Sequence, residues 1–121
     1  MTQWRLVHGP SGKTIAVVSR ADTWLLKGWG VLGRRTLAVG DGLWLPGVAS
    51  VHTVGVRFPL DLLFLDNNLQ TARVIENVPP GRWLVRAGGA AHTLELGSGT
   101  LALLGCLVKT GDAWRLKQER A

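Results

Sequence analysis

The sequence predicts a mainly β fold: an antiparallel sandwich or barrel with one or two short helices. About eight short apolar or β-branched segments recur along the 121 residues, and such segments are typical of strands. Sixteen glycines, against five prolines, supply many tight turns between these segments. Strands and helices do not alternate regularly along the chain, so a parallel α/β sheet is not expected.

The first two strands are predicted to form a hairpin. Residues 4–8 (WRLVH) and 14–18 (TIAVV) are rich in apolar and β-branched side chains, as strands are. The GPSG sequence at 9–12 lies between them and is a strong turn signal.

The following segment changes to a helical spacing. Leu25, Trp29 and Leu32 lie at positions i, i+4 and i+7, which places them on one face of a helix. Ser19 is a candidate cap for the start of this helix. Because glycine weakens a helix, we expect the helix to be short and to end near Gly28.

The centre of the chain returns to strands, at residues 43–45, 51–56, 60–65 and 71–78. The run at 60–65 (LDLLFL) is almost entirely apolar, which is typical of a strand covered on both faces. The sequence DNN at 66–68 predicts a turn before the returning strand, since asparagine tolerates positive φ.

The last third of the chain contains shorter elements. Strands are predicted at 83–85, 93–96 and 114–116, with one or two helical turns at 100–104. Residues 117–121 are expected to be frayed.

Composition narrows the class of protein. A chain of this length is predicted to form one domain, residues 1–121. No apolar run approaches the roughly 18 residues of a membrane span, and the first residues do not resemble a signal peptide, so a cytoplasmic location is expected. Cys106 is the single cysteine, so it forms no internal disulfide, and we expect it to be an inert core residue. Most of the six tryptophans are expected in the core.

The chain is basic, with 14 Lys and Arg against 8 Asp and Glu, and has a pI of about 10.8. Only Arg34 and Arg35 are adjacent, which favours dispersed surface charge over a nucleic-acid site. Because His8, His52 and His92 lack zinc-ligand spacing, no metal is expected, and nothing indicates a cofactor.

Three sequence blocks resemble a known family. They are SVHTVGVRFPLDLLFLD at 50–66, WGVLGR at 29–34, and TLELGSG at 93–99 followed by GD at 111–112. In order and spacing they resemble the small bacterial and archaeal family called domain of unknown function 192, over roughly residues 14–114. The resemblance implies a jelly-roll-like β domain and no established reaction. Relatives often have Pro-Cys where this chain has Pro46-Gly47, so any chemistry of that cysteine would be missing here.

The central block contains the first group of candidate site residues. Alternation along the strand places Arg57 opposite His52, but a bulge at Gly55 would bring both to one side. Asp61 could then join them at one end of the sheet, and Thr53 completes the His-Thr pair. The alternative is structural: an ion pair between Arg57 and Asp61 that pins the turn.

Two further candidates lie outside this block. Glu95 lies between two leucines expected to face the core, so its side chain is predicted to point outward, into solvent or a concave groove. It could pair with Asp61 for acid–base chemistry, or be a solvated or salt-bridged surface residue. Trp44, which precedes a predicted turn, is the tryptophan expected at the rim of a groove.

These residues support three hypotheses about function. The first is a non-catalytic binding or accessory module that holds a small polar ligand or protein partner near His52, Arg57 and Asp61. The alternative is a small hydrolase or transferase that uses Asp61 or Glu95 with His52. A second alternative is weak binding of a polyanion or nucleic acid.

Overall fold

The computed structural model describes residues 2–21, 31, 34–105 and 108–119. Within these residues the chain forms nine strands and one 3-10 helix. The strands are β1 (Gln3–His8), β2 (Thr14–Arg20), β3 (Asp41–Pro46), β4 (Ser50–Val51), β5 (Leu60–Leu65), β6 (Thr71–Val78), β7 (Val85–Arg86), β8 (His92–Gly97) and β9 (Trp114–Gln118). The 3-10 helix spans Leu101–Leu104.

Seven strands form one sheet in the order β6-β5-β8-β3-β2-β1-β9, while β4 and β7 form a separate two-stranded sheet. The pair β2–β3 is parallel, and the other pairs are antiparallel. The predicted mainly β fold is therefore confirmed.

The large sheet curls so that its two edge strands approach each other. Gln70 forms an isolated antiparallel bridge with Ala113. The N–H of Thr71 donates to the carbonyl oxygen of Asp112 at 2.8 Å, and the N–H of Trp114 donates to that of Leu69 at 2.9 Å. These bonds join the start of β6 to the start of β9, which gives the sheet the shape of a half-barrel.

Apolar side chains are buried on both faces of this sheet. The inner cluster includes apolar side chains of six strands: Leu6, Val18, Trp44, Leu63, Leu65, Leu94, Leu96 and Trp114. The outer cluster includes Leu43, Leu45, Leu60, Leu62 and Phe64, and Val51 and Val85 of the small sheet pack against it. All six residues of β5 are buried, as its unbroken apolar sequence predicts.

Several elements differ from the prediction. Ser19 lies inside β2 rather than at a helix cap, because β2 continues to Arg20 in parallel pairing with β3. The remainder of the predicted helix lies in residues 22–30, outside the described part, as does Cys106.

The predicted strand at 51–56 ends at Val51, because the chain turns there: the N–H of Val56 donates to the carbonyl oxygen of Thr53. At the other end of the chain, β9 continues through Gln118, and the N–H of Glu119 donates to Gln3. The described part of the predicted frayed tail is therefore paired with β1.

Candidate functional site

An open groove lies beside β6, an edge strand of the large sheet. Its volume is about 450 Å³, and it is lined by Arg73, residues 75–79, Arg82 and residues 84–86. One wall is therefore β6, and the other is the segment that leads into β7. We call this feature the arginine groove.

The strand β6 is irregular where it forms the wall. Its register with β5 shifts between Leu60 and Leu62, which leaves one extra residue on β6 between Ile75 and Val78. Asn77, within this irregularity, has a φ of 53°. An extra residue of this kind bends a strand and interrupts edge pairing, so this edge of the sheet is poorly suited to pairing with another strand.

The arginine groove has an excess of positive charge. Arg73, Arg82 and Arg86 are exposed on its walls, and Glu76 is the one acidic residue that lines it. Three arginines and one glutamate give these four side chains a net charge of +2. The two ion pairs found within the described residues involve none of these four side chains.

One of these arginines spans the groove. The Nη1 atom of Arg73 donates a hydrogen bond of 2.8 Å to the backbone oxygen of Arg86. Because this acceptor is a neutral carbonyl, the bond does not compensate the charge of the guanidinium.

Thr53 holds the second wall in place. Its side chain is fully buried, and its hydroxyl donates to the carbonyl oxygen of Pro79 at 2.8 Å while accepting from the N–H of Arg82 at 2.8 Å. Its backbone adds two more bonds, from its own N–H to Arg82 and from the N–H of Gly81 to its carbonyl oxygen. Thr53, a predicted site residue, therefore positions two lining residues of the arginine groove without facing it.

Two large apolar side chains are exposed next to the arginines. Trp83 is 83% exposed and Leu84 is 61% exposed. Exposed tryptophans offer a flat apolar face with a polar N–H edge, so this one is suited to stacking against a ring or an apolar chain.

His52 and Arg57 lie on the loop between β4 and β5 and are both exposed. Thr53 and Val56 form a turn between them, and Gly55 has a φ of 84° within it. Within the described residues, no ion pair joins Arg57 to Asp61. The predicted ion pair is therefore absent there, and the side chains of His52 and Arg57 are exposed to solvent.

Asp61 is fully buried and binds backbone N–H groups instead. Its Oδ2 atom accepts from Gly99 and Leu101, both at 3.1 Å, and its Oδ1 atom accepts from Asn77 at 3.0 Å. The hydroxyl of Ser98 donates to the side-chain oxygen of Asn77. Asp61 thus fastens the start of the 3-10 helix and the bend in β6 to β5.

Glu95 is 3% exposed, so the prediction that its side chain points into solvent is wrong. Burial raises its pKa to about 7. It is paired in register with Leu43 on one side and Leu62 on the other, so it shares the outer face with them. Since β5 residues alternate, Asp61 faces the inner side next to Leu63, and the two carboxyl groups do not form a pair.

Trp44 lies in the inner cluster and is only 9% exposed, so it does not form a groove rim. Its ring meets that of Trp4 edge to face at 5.3 Å, and the Arg20 guanidinium lies 4.8 Å above its centre. It is therefore a packing residue of the inner cluster.

A family profile matches residues 6–116, and its description is DUF192, an uncharacterized ACR. The chain belongs to the DUF192 family. The resemblance carried by the central and flanking motifs is thereby confirmed.

Two solved structures share this DUF192 fold. A protein of Sinorhizobium meliloti 1021, described as a candidate transcription regulator, is 27% identical with a TM-score of 0.77, over 97% of this chain and 92% of its own. A protein of unknown function from Novosphingobium aromaticivorans is 24% identical with a TM-score of 0.75, over 93% of this chain and 83% of its own. A search of curated proteins finds no significant match.

No helix in the described part of this DUF192 chain is long and apolar enough to cross a membrane. Nor does that part contain a group of three His, Cys, Asp or Glu side chains that could hold a metal ion.

Neither the arginine groove nor a second polar set, formed by His8, Ser11 and Asp112, is visible in the sequence. The groove arginines are separated by 13 residues between Arg73 and Arg86, without a recognisable motif. His8 and Asp112 are 104 residues apart. The arginine groove exists because the chain after β6 folds back beside that strand, and the set around His8 exists because β9 pairs with β1, so no local motif could have revealed either.

Proposed function

We propose that the protein is a single-domain binding module that holds a small anionic ligand in the arginine groove. The observation that carries this proposal is the gathering of three exposed arginines around one cavity with a single glutamate. Guanidinium groups bind carboxylates and phosphates through paired N–H donors, so an anion of either kind is the matching ligand.

The size of the groove supports a small ligand. A volume of about 450 Å³ falls within the roughly 300–1,000 Å³ of ordinary small-molecule sites. The bonds from Thr53 to Pro79 and Arg82 favour a preformed wall, which lowers the cost of ordering the site on binding. His52 and Arg57, on the adjoining loop, are proposed to add to the positive or polar surroundings of the ligand.

A second candidate is single-stranded nucleic acid. The exposed ring of Trp83 beside basic residues is the combination that such proteins use, with bases stacked on aromatic faces and phosphates on cations. The Sinorhizobium relative described as a candidate transcription regulator also favours this possibility. The small anion is preferred because the arginines line one confined cavity rather than an extended track.

Calorimetric titration with pyrophosphate, with citrate and with a short thymidine oligonucleotide tests both candidates. The variant Arg82→Ala is compared with Arg115→Ala, which removes an exposed arginine of β9 outside the groove. We expect Arg82→Ala to weaken anion binding about tenfold or more, because a hydrogen bond to a charged group contributes roughly 1.5–3 kcal/mol. Arg115→Ala should leave it unchanged.

The outcomes separate the candidates. Binding of the oligonucleotide alone, weakened by Trp83→Ala and by added salt, would favour nucleic acid over a small anion. If none of the three anions binds, or if Arg82→Ala binds them as the wild type does, the arginine groove is not the binding site.

A further inference from the structure

Three polar side chains form a hydrogen-bonded chain outside the arginine groove, where β1 ends and β9 begins. The Nδ1 atom of His8 lies 2.8 Å from the hydroxyl oxygen of Ser11, and its Nε2 atom lies 3.0 Å from Oδ2 of Asp112. A hydroxyl, an imidazole and a carboxylate in series are the components of an activated serine nucleophile.

The hydrogen-bond partners of Asp112 and His8 decide which nitrogen of the imidazole donates and which accepts. Oδ2 of Asp112 accepts the N–H of Lys109 at 3.0 Å as well as the bond from His8. The bond from Lys109 lowers the pKa of Asp112 most, and the bond from His8 lowers it further. The carboxylate of Asp112 is therefore ionised at neutral pH. In the neutral imidazole, a proton on Nε2 makes the bond to this carboxylate and leaves Nδ1 as the acceptor for the hydroxyl proton of Ser11.

The imidazole is held rigidly. His8 is 3% exposed, and its ring packs against that of Trp114 with the centres 4.9 Å apart. Asp112 is fixed through its carbonyl oxygen, which accepts both the N–H and the hydroxyl of Thr71. A buried base held by a second residue in this way keeps one orientation, as general-base catalysis requires.

The hydroxyl of Ser11 is accessible to solvent, whereas the imidazole of His8 is buried. Ser11 is exposed, at the tip of the turn between β1 and β2. The neighbouring Gly12 has a φ of 71°, and a Cβ atom built on it would meet no atom within 4 Å. An acyl group attached to Ser11 would thus have open space beside it. The N–H of Lys13 also donates to Oγ at 3.3 Å, which favours the alkoxide form during attack.

We propose that Ser11 is the nucleophile of an acyl-transfer site, with His8 as general base and Asp112 as the residue that positions it. The substrates are carboxylic esters with small acyl groups, because Ser11 is exposed on a turn with open space at the neighbouring Gly12. The inference is independent of the arginine groove and goes beyond binding.

The reaction has two balanced steps. The Ser11 hydroxyl passes its proton to Nδ1 of His8 while Oγ bonds to the acyl carbon, and the ester C–O bond then breaks as His8 protonates the leaving alcohol. Water next gives a proton to His8, attacks the acyl carbon and releases the carboxylic acid, and the proton returns to Oγ. Oxidants, reductants and cofactors are not needed.

The test uses the full chain and two probes. Diisopropyl fluorophosphate should phosphorylate Ser11, located by peptide mass spectrometry, and p-nitrophenyl acetate should be hydrolysed with an initial burst. The variant Ser11→Ala should lose both signals. Ser50→Ala, which removes another exposed serine, is the matched control and should keep both.

The role of Asp112 is tested separately from folding. Asp112→Asn preserves the size of the side chain, and we expect burst rates roughly 10²- to 10⁴-fold lower, with an altered pH profile. Thermal unfolding measured on the same samples shows whether the variant is folded. Absence of labelling in the folded wild type, or equal labelling and hydrolysis in Ser11→Ala, would overturn the proposal. An unchanged rate and pH profile in folded Asp112→Asn would overturn the role given to that residue.

Discussion

Replacement of Asp61 by asparagine tests whether this buried carboxylate fastens the fold. In the native protein its two oxygens accept three backbone N–H groups: Oδ2 those of Gly99 and Leu101, and Oδ1 that of Asn77. An asparagine has one oxygen and one NH₂ group. At best the oxygen keeps the two bonds on the Oδ2 side, and the NH₂ group then faces the third N–H donor.

The magnitude follows from these contacts. Loss of one bond to a charged group costs about 1.5–3 kcal/mol, and the two remaining bonds each lose about 1 kcal/mol when the acceptor becomes neutral. We therefore expect Asp61→Asn to lower the free energy of unfolding by roughly 3–5 kcal/mol, against a total of about 5–15 kcal/mol for a domain.

Urea unfolding followed by tryptophan fluorescence measures this difference. The matched control is Asp41→Asn, which makes the same chemical change at an exposed position of β3 and should shift stability by less than about 0.5 kcal/mol. If Asp61→Asn also stays within about 1 kcal/mol of the wild type, the three hydrogen bonds do not hold the 3-10 helix and β6 as argued, and Asp61 is free for another role.

Three further substitutions probe other parts of the structure by the same unfolding measurement. Thr53→Val removes the buried hydroxyl that bonds residues 79–82, and should cost about 1–3 kcal/mol; no loss would remove Thr53 as their anchor. Because burial raises the pKa of Glu95 from 4.5 to about 7, the contribution of Glu95 to stability should be complete below about pH 4.5 and should fall by on the order of 3 kcal/mol as the pH rises through 7. In Glu95→Gln that fall should disappear between about pH 5 and about pH 8, and a persistent fall would assign it to another group. Gly97→Ala would drive a methyl group into a backbone carbonyl of the neighbouring loop and should cost about 3 kcal/mol or more, whereas at Gly88 the same change meets no atom within 4 Å and should be tolerated.

The strands were largely predictable because their signal is local. The β-branched residues of 14–18 and 71–78 and the apolar run of 60–65 are signals from residues adjacent in the chain, and all three segments appear as strands. The strand predicted at 51–56 failed because Thr53 forms its hydrogen bonds with residues 79–82, which pull the chain into a turn. That competition between local preference and distant partners cannot be read from the segment itself.

The candidate site was predicted in part. The buried side chains of Thr53 and Asp61 each make several hydrogen bonds, but their partners are backbone groups. Both residues therefore stabilise the fold rather than face a ligand. Glu95 was expected to point outward because its neighbours Leu94 and Leu96 were expected to face the core. In this protein the small sheet and adjoining loops cover the outer face, so both faces of β8 are buried.

By itself the sequence determined the class of fold, most strand positions and membership of the DUF192 family, since these depend on local periodicity and on contiguous motifs. The tertiary structure alone decided which polar groups meet. The fold places the segment that carries Arg82 and Arg86 beside β6, where both line one groove with Arg73, and the β1–β9 pair brings Asp112 to His8. The physical reason is that charge and hydrogen bonding act over a few ångströms of space, whereas the residues that supply them are far apart along the chain.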